Sequence, residues 1–383
     1  MPADSPLESR VRSHLARLAS RGLLRTPKPP SGIDLSSNDY LCLSRDPRIR
    51  AALVAGIERD GVGSTGSRLL RGERDVFREV EARFASFKRT DRALYLSSGY
   101  LANLAVLTAY AESDDVIVSD ERNHASLIDG TRLSRARTVV CPHNDRNRLS
   151  RLLAETPCSG VRFVVVESLY SMDGDMAPLA DYLAICRAHG ATLVVDEAHA
   201  VGIYGERGSG LIEAAGIDAN ECLSVNPAGK ALGVAGAFVA GPAWAIDHLV
   251  QRGRPFIFST AAPPALADAL LASLDIVERE PERRRRLLAL SGFLRSRLAG
   301  SSADVPEGCS QIVPVMLGDN ARAVRVAGEL QAAGFDARAI RPPSVPDGTA
   351  RLRLSVNAGL DERDLSRFIQ TLSELLTCST ASL

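Results

Sequence analysis

The chain has 383 residues, 45% hydrophobic and 24% charged, with 46 basic and 46 acidic side chains that cancel; this describes an ordinary globular protein with no bulk field to recruit nucleic acid or an acidic membrane. Seven cysteines without a C-x-x-C pair fit neither a zinc site nor a disulfide framework, so no metal is expected and a reducing cytoplasm is the expected compartment. No apolar signal core opens the chain, and no apolar run approaches the roughly 18 residues that a membrane span needs.

A chain of this length outgrows one average core, so a large domain and a smaller one are expected. Val11, Leu15 and Leu18 recur at helical spacing and the pattern stops at Pro27, Pro29 and Pro30, which predicts an N-terminal helix acting as a docking arm within residues 1–45. Helical stretches then alternate with short β-rich runs at 93–96, 116–118, 138–140, 163–166, 193–195 and 237–239. Strands buried on both faces look like this. Their alternation with helices predicts an α/β domain over 46–260 with a mostly parallel sheet, whose ligands sit beyond the carboxyl ends of the strands. After Pro263-Pro264 the sequence predicts one long polar helix containing Arg283 to Arg286, then a few strands and two helices, a smaller α+β domain over 261–383. With Glu278, Glu280 and Glu282 just before it, the arginine run reads as a solvated helix face.

Three motifs point to three different proteins. Gly61-Val62-Gly63-Ser64-Thr65-Gly66 matches a dinucleotide fingerprint, but that fingerprint needs a strand before it, and residues 49–60 have helical spacing. Asp196-Glu197-Ala198-His199 matches a helicase box, but no G-x-x-x-x-G-K-[ST] loop lies upstream to hold phosphates. The third reading takes Asp196 at a strand end, His199 three residues later and Lys230 in a glycine-flanked turn downstream. Pyridoxal phosphate makes these demands: a lysine amine for its aldehyde, a carboxylate for its pyridine nitrogen and a donor for its ring oxygen.

These residues sit in a dense set of segments: 36–41 (SSNDYL), 63–68 (GSTGSR), 98–103 (SGYLAN), 123–126 (NHAS), 171–175 (SMDGD), 196–199 (DEAH) and 229–233 (GKALG). On them the sequence resembles the α-oxoamine synthases over almost its whole length. The resemblance implies a fold-type I pyridoxal-phosphate transferase, with a mostly parallel seven-stranded sheet between helices, working as a homodimer. It implies that Lys230 carries the cofactor and moves the substrate's α-proton, that Asp196 pairs with the pyridine nitrogen, that His199 meets the ring oxygen and that His124 stacks on the ring. Gly99 and Tyr100 would offer backbone N–H groups to the phosphate, and Ser171 would line the pocket. Arg353, with Ser355 two residues on, would bind the amino-acid carboxylate, and Arg351 on the same strand face is the competing guanidinium. One position departs from the pattern: many members carry Thr three residues before the lysine, and here Pro227 has no hydroxyl to give the phosphate. Lower phosphate affinity, or a contact from Ser224, Asn226 or a second subunit, is then expected.

The family divides by substrate. Residues 317–320 (LGDN) and 339–354 (AIRPPSVPDGTARLRL) are most similar to the branch that joins L-alanine to a pimeloyl thioester, carried on CoA or an acyl carrier protein, with loss of CO2. Arg25 aligns with an arginine that could meet the far carboxylate of the pimeloyl chain. The rivals are a branch with another amino acid and acyl donor, such as glycine with acetyl-CoA, and a non-catalytic partner subunit, against which the presence of Lys230 argues.

Overall fold

Ser5 caps the first helix, α1 (Pro6–Ser20), by accepting from the N–H of Glu8, and Pro6 occupies the first turn, where a missing N–H costs nothing. In this computed structural model, which describes residues 5–378, the expected N-terminal helix is present, and Leu7, Val11 and Leu15 on it are exposed. The prolines that follow leave the chain without regular structure until a short strand, β1 (Ile33–Asp34). Helix α2 (Pro47–Asp60) is capped by Asp46 and ends at Gly61 with φ +79°. The glycine-rich loop therefore follows a helix, as its context predicted, and Gly61 serves as a helix stop. Helix α3 (Asp75–Lys88) buries Phe77, Val80, Phe84 and Phe87.

Seven strands build the central sheet: β2 (Arg92–Leu96), β3 (Val116–Asp120), β4 (Arg137–Cys141), β5 (Arg162–Glu167), β6 (Ala191–Asp196), β7 (Cys222–Pro227) and β8 (Ala237–Gly241), in the order β2-β8-β7-β6-β5-β3-β4. Only β8 runs against the rest, pairing antiparallel with both β2 and β7. The intervening helices α4 (Gly99–Tyr110), α5 (Ala125–Ser134), α6 (Arg146–Glu155), α7 (Leu179–His189), the short α8 (Leu211–Ala214), α9 (Ala243–Arg252) and α10 (Arg254–Ile257) complete the alternation. Two apolar layers hold it. One gathers Leu94, Val106, Ile117, Val165, Val194 and Val239 with the helices α4 and α9; the other gathers Val118, Val164, Val166, Leu193 and Val195 with α6 and α7. Strand β7 escaped the sequence reading because Ser224 and Asn226 interrupt its apolar run. Both are fully buried, and Asn226 Nδ2 donates to Ser224 Oγ at 2.9 Å. Pro227 is tolerated as the last residue of the strand.

The single long polar helix expected after Pro263-Pro264 is two helices, α11 (Ala265–Arg279) and α12 (Pro281–Ala299). Pro281 cannot continue a helix for lack of an N–H and starts a new one instead. Nor is the arginine run simply a solvated face. Arg283 pairs with Glu280 and Asp46, and Arg284 is buried and donates to the carbonyls of Val277 and Glu206. Arg285 and Arg286 are the exposed members.

The described residues divide into two compact units, residues 38–171 with 175–286, and residues 5–37 with 172–174 and 287–378. In the smaller unit an antiparallel sheet, β11-β12-β9, is formed by β9 (Ile312–Gly318), β11 (Ala339–Ile340) and β12 (Ala350–Ser355). Helices α13 (Asn320–Ala332) and α14 (Glu362–Cys378) bury Val326, Leu330, Leu365, Phe368 and Leu372, and β10 (Phe335–Asp336) pairs in parallel with β1. Among the described residues no helix is long and apolar enough to cross a membrane.

Candidate active site

The parallel strands end together, and the polar residues that follow them carry the chemistry. Asp196 closes β6 and is buried. Its Oδ2 accepts from Asn103 Nδ2 at 2.7 Å and its Oδ1 from the N–H of Ala198 at 2.8 Å. A carboxylate oxygen has two lone pairs, so each can still accept a further donor. His199, in the turn after Asp196, is also buried, and its Nδ1 lies 2.7 Å from the hydroxyl of Tyr40. The Tyr40 hydroxyl also lies 3.0 Å from Asn38 Oδ1, so it anchors the imidazole of His199 from the Nδ1 side.

Asn103 links Asp196 to the start of α5. Its Nδ2 also donates to Ser126 Oγ at 2.9 Å, and Ser126 Oγ lies 2.7 Å from Nδ1 of His124. His124 is the N-cap of α5, its Nδ1 accepting from the N–H of Ser126 at 3.2 Å. Burial, reinforced by the positive charge of Lys230, lowers the pKa of this imidazole, while Asp196 works in the opposite direction. Lys230 follows β7 in a loop closed by the N–H of Ala228 on the carbonyl of Gly236 and by the N–H of Gly233 on the carbonyl of Lys230. Gly233 has φ +69°, and a side chain there would strike the backbone of Leu43 and Ser44; the lysine turn thus requires glycine.

Gly99 and Tyr100 form the first turn of α4, whose N–H groups have no intrahelical acceptor. A Cβ on Gly99 would stand 2.5 Å from Cγ of Pro227. The proline thus closes against the helix start, and only glycine fits beneath it. Tyr100 turns its hydroxyl to Asp129 and is substantially exposed. Ser171 follows β5 in a turn of the segment bridged by Leu169 and Met176. At the end of β5, Glu167 is the register partner of Asp196. Burial, then the neighbouring Asp196, push its carboxyl up to about 8, against the pull of Lys230 and of the backbone N–H groups of His124 and Ser171.

A second polar cluster braces the same strand ends. His143 has Nδ1 at 2.9 Å from Asp120, which closes β3, and Nε2 on Asp175. Burial opposes its charge, but these two carboxylates raise it to about 9.

In the smaller unit Arg351, Arg353 and Ser355 share a face of β12. Arg351 is buried and paired with Asp173 and with the carbonyl of Thr349, whereas Arg353 donates to Ser355 Oγ at 2.7 Å. Arg25 donates to the carbonyl of Pro342 at 3.2 Å.

The residues present suit pyridoxal phosphate: a buried carboxylate with acceptor capacity left, a lysine whose charge is felt at His124, and a helix start on which a side chain would collide. Sequence reasoning gave Asn103, Ser126, Tyr40 and Glu167 no role. Asn103 could have been found, because it interrupts the apolar run Leu101 to Val106 on a helix otherwise suited to full burial.

Fold and site together define a fold-type I pyridoxal-phosphate enzyme. The family model for aminotransferase class I and II matches residues 30–372. The chain is 45% identical over 344 residues to 8-amino-7-oxononanoate synthase of Anaeromyxobacter dehalogenans, covering 90% of this chain and 86% of that one. It is 41% identical to that of Aromatoleum aromaticum, over 96% of this chain and 99% of the relative. Among solved structures, serine palmitoyltransferase of Sphingomonas wittichii superposes with a TM-score of 0.91 at 29% identity, covering 99% of this chain and 100% of that one. For 8-amino-7-oxononanoate synthase of Francisella tularensis the TM-score is 0.80 at 29% identity, with coverage of 91% and 99%. The chain belongs to the aminotransferase class I and II family, as a pyridoxal-phosphate-dependent acyltransferase of the α-oxoamine synthase group.

Proposed function

We propose that the protein condenses L-alanine with a pimeloyl thioester, on CoA or an acyl carrier protein, releasing CO2, the thiol carrier and 8-amino-7-oxononanoate, a step of biotin synthesis. In this reading it is a cytoplasmic homodimer. The observation that carries it is the match of about nine-tenths of the chain to relatives named for that product.

Pyridoxal phosphate, when bound, supplies an electron sink for the pair left at the amino acid's Cα. Lys230 would hold the cofactor through its amine and would serve as the base for the substrate's Cα proton. Asp196 keeps a proton on the pyridine nitrogen, since a buried carboxylate favours a cationic N–H beside it. His124 would cover the ring face, His199, beside Tyr40, would meet the ring oxygen, and Ser171 would line the pocket. The N–H groups at Gly99 and Tyr100 receive the phosphate, as helix starts do. Arg353, with Ser355, would take the amino-acid carboxylate. Arg25 meets the far carboxylate of the acyl chain.

The test supplies the purified protein and pyridoxal phosphate with L-alanine and either pimeloyl donor while thiol and CO2 are followed. Glycine with acetyl-CoA and serine with palmitoyl-CoA are the controls. Turnover confined to alanine with a pimeloyl donor is expected. Turnover only on another pair would move the protein to another branch of the same group.

A further inference from the structure

Asn103 and Ser126 lie between Asp196 and His124, and each is buried at 1% exposure. Asn103 Nδ2 is 2.7 Å from Asp196 Oδ2 and 2.9 Å from Ser126 Oγ. The amide can take only this orientation, because the reverse one would set its oxygen against a carboxylate oxygen, and neither has a proton to give. Both protons on Nδ2 are therefore spent, one on the carboxylate and one on the serine.

The serine proton then has one destination. Among the described residues Ser126 Oγ has two hydrogen-bond neighbours: Asn103 Nδ2, which can only donate, and Nδ1 of His124 at 2.7 Å. The N–H of Ser126 reaches the same Nδ1 at 3.2 Å. A ring nitrogen that carries a proton cannot accept, so two donors aimed at Nδ1 leave its lone pair bare and put the proton of the neutral ring on Nε2. Burial disfavours a second proton on the ring.

We propose that Asn103 and Ser126 are positioning residues that fix the tautomer of His124, through hydrogen bonds that run one way from the Asn103 amide by the Ser126 hydroxyl to Nδ1. The carboxylate of Asp196 orients the amide and so sets the direction of the chain. A neutral imidazole can cover a ring whose nitrogen Asp196 holds protonated without bringing two positive charges together. The same tautomer keeps an N–H donor at Nε2.

The inference rests on placing His124 and Lys230 at the cofactor, and the experiment separates the two. A visible band on adding pyridoxal phosphate to wild type that Lys230→Ala lacks upholds the site; no band in wild type, or one that survives in Lys230→Ala, overturns site and inference together. The tautomer is read by nitrogen NMR of isotope-labelled histidines, with and without pyridoxal phosphate, the His124 signals being assigned by their loss in His124→Gln. A protonated Nε2 beside a bare Nδ1 at pH 7 is expected, and a proton on Nδ1 overturns the inference alone. Asn103→Asp keeps the shape but brings at most one proton, which the neighbouring Asp196 takes, since two buried carboxylates share one. The serine proton then turns to residue 103 and a proton should appear on Nδ1; a variant whose Nδ1 stays bare refutes the role of Asn103. Should that variant not fold, Ser126→Ala decides. With the hydroxyl gone, the Nδ1 resonance should move downfield towards that of an unbonded ring nitrogen, and an unmoved resonance defeats the proposal. Filling space alone would not choose between the two ring nitrogens.

Discussion

The carboxylate of Glu197 is ion-paired with the ammonium of Lys88, and both groups are fully buried. Adjacent residues at one strand end thus face different tasks: Asp196 is tied to Asn103, and Glu197 to the scaffold. Glu197 Oε1 also accepts from the N–H groups of Leu211 and Ile212, which start α8, and Lys88 donates to the carbonyl of Ser209. Lys88→Met leaves the Glu197 charge buried and unpaired. A loss of about 3–5 kcal/mol in urea unfolding is expected; a loss below about 1 kcal/mol would show that the pair carries no such weight.

Asp196 and His124 are joined through Asn103 and Ser126, so orienting one orients the other. Asp196→Asn should keep the cofactor attached to Lys230 while lowering kcat by about 100-fold or more, the scale on which single electrostatic contacts act in enzyme sites. Absorbance measures the attachment and thiol release the rate. Near-normal turnover in this variant would remove Asp196 from its assigned role.

Pro227 lies beside the first turn of α4, with its Cγ 2.5 Å from where a Cβ of residue 99 would stand. Gly99→Ala should therefore cost about 1–3 kcal/mol of stability through overpacking. Pro227→Thr supplies a hydroxyl near the N–H groups of that turn, and cofactor titration should show affinity rising about fivefold, the worth of one neutral hydrogen bond. An unchanged dissociation constant would mean that the phosphate does not sit at this helix start.

His143 links the ends of two elements by binding its proton between Asp120 and Asp175. Its folded value of about 9 lies above the ordinary 6.5. The stabilisation is thus complete below about pH 6.5 and is lost as pH rises towards 9, because only the folded state holds the proton across that window. Relative to His143→Gln, wild type should lose about 2–3 kcal/mol between pH 6.5 and 9.5 in urea unfolding. Parallel pH profiles for the two proteins would refute the linkage.

Much of this protein was legible in order along the chain. Six of the seven sheet strands were marked by short apolar runs such as Phe163 to Val166; five of them are largely buried, whereas β4, at the sheet edge, leaves Thr138 and Val140 exposed, contrary to the expectation of burial on both faces. Asp196, His199 and Lys230 were singled out in the sequence because cofactor chemistry calls for those residue types near strand ends. The sequence by itself also determined that the glycine-rich loop follows a helix. What it could not determine depended on which groups meet across the sheet. β7 was hidden because the burial of Ser224 and Asn226 depends on hydrogen bonds within the fold, and Arg284 looked solvated because its carbonyl partners lie elsewhere in the chain. Glu167 was an ordinary acid at the end of an apolar run until the parallel register set it beside Asp196. Local spacing fixes which face a side chain takes, but only tertiary packing fixes the neighbours that decide whether it is charged, neutral or paired.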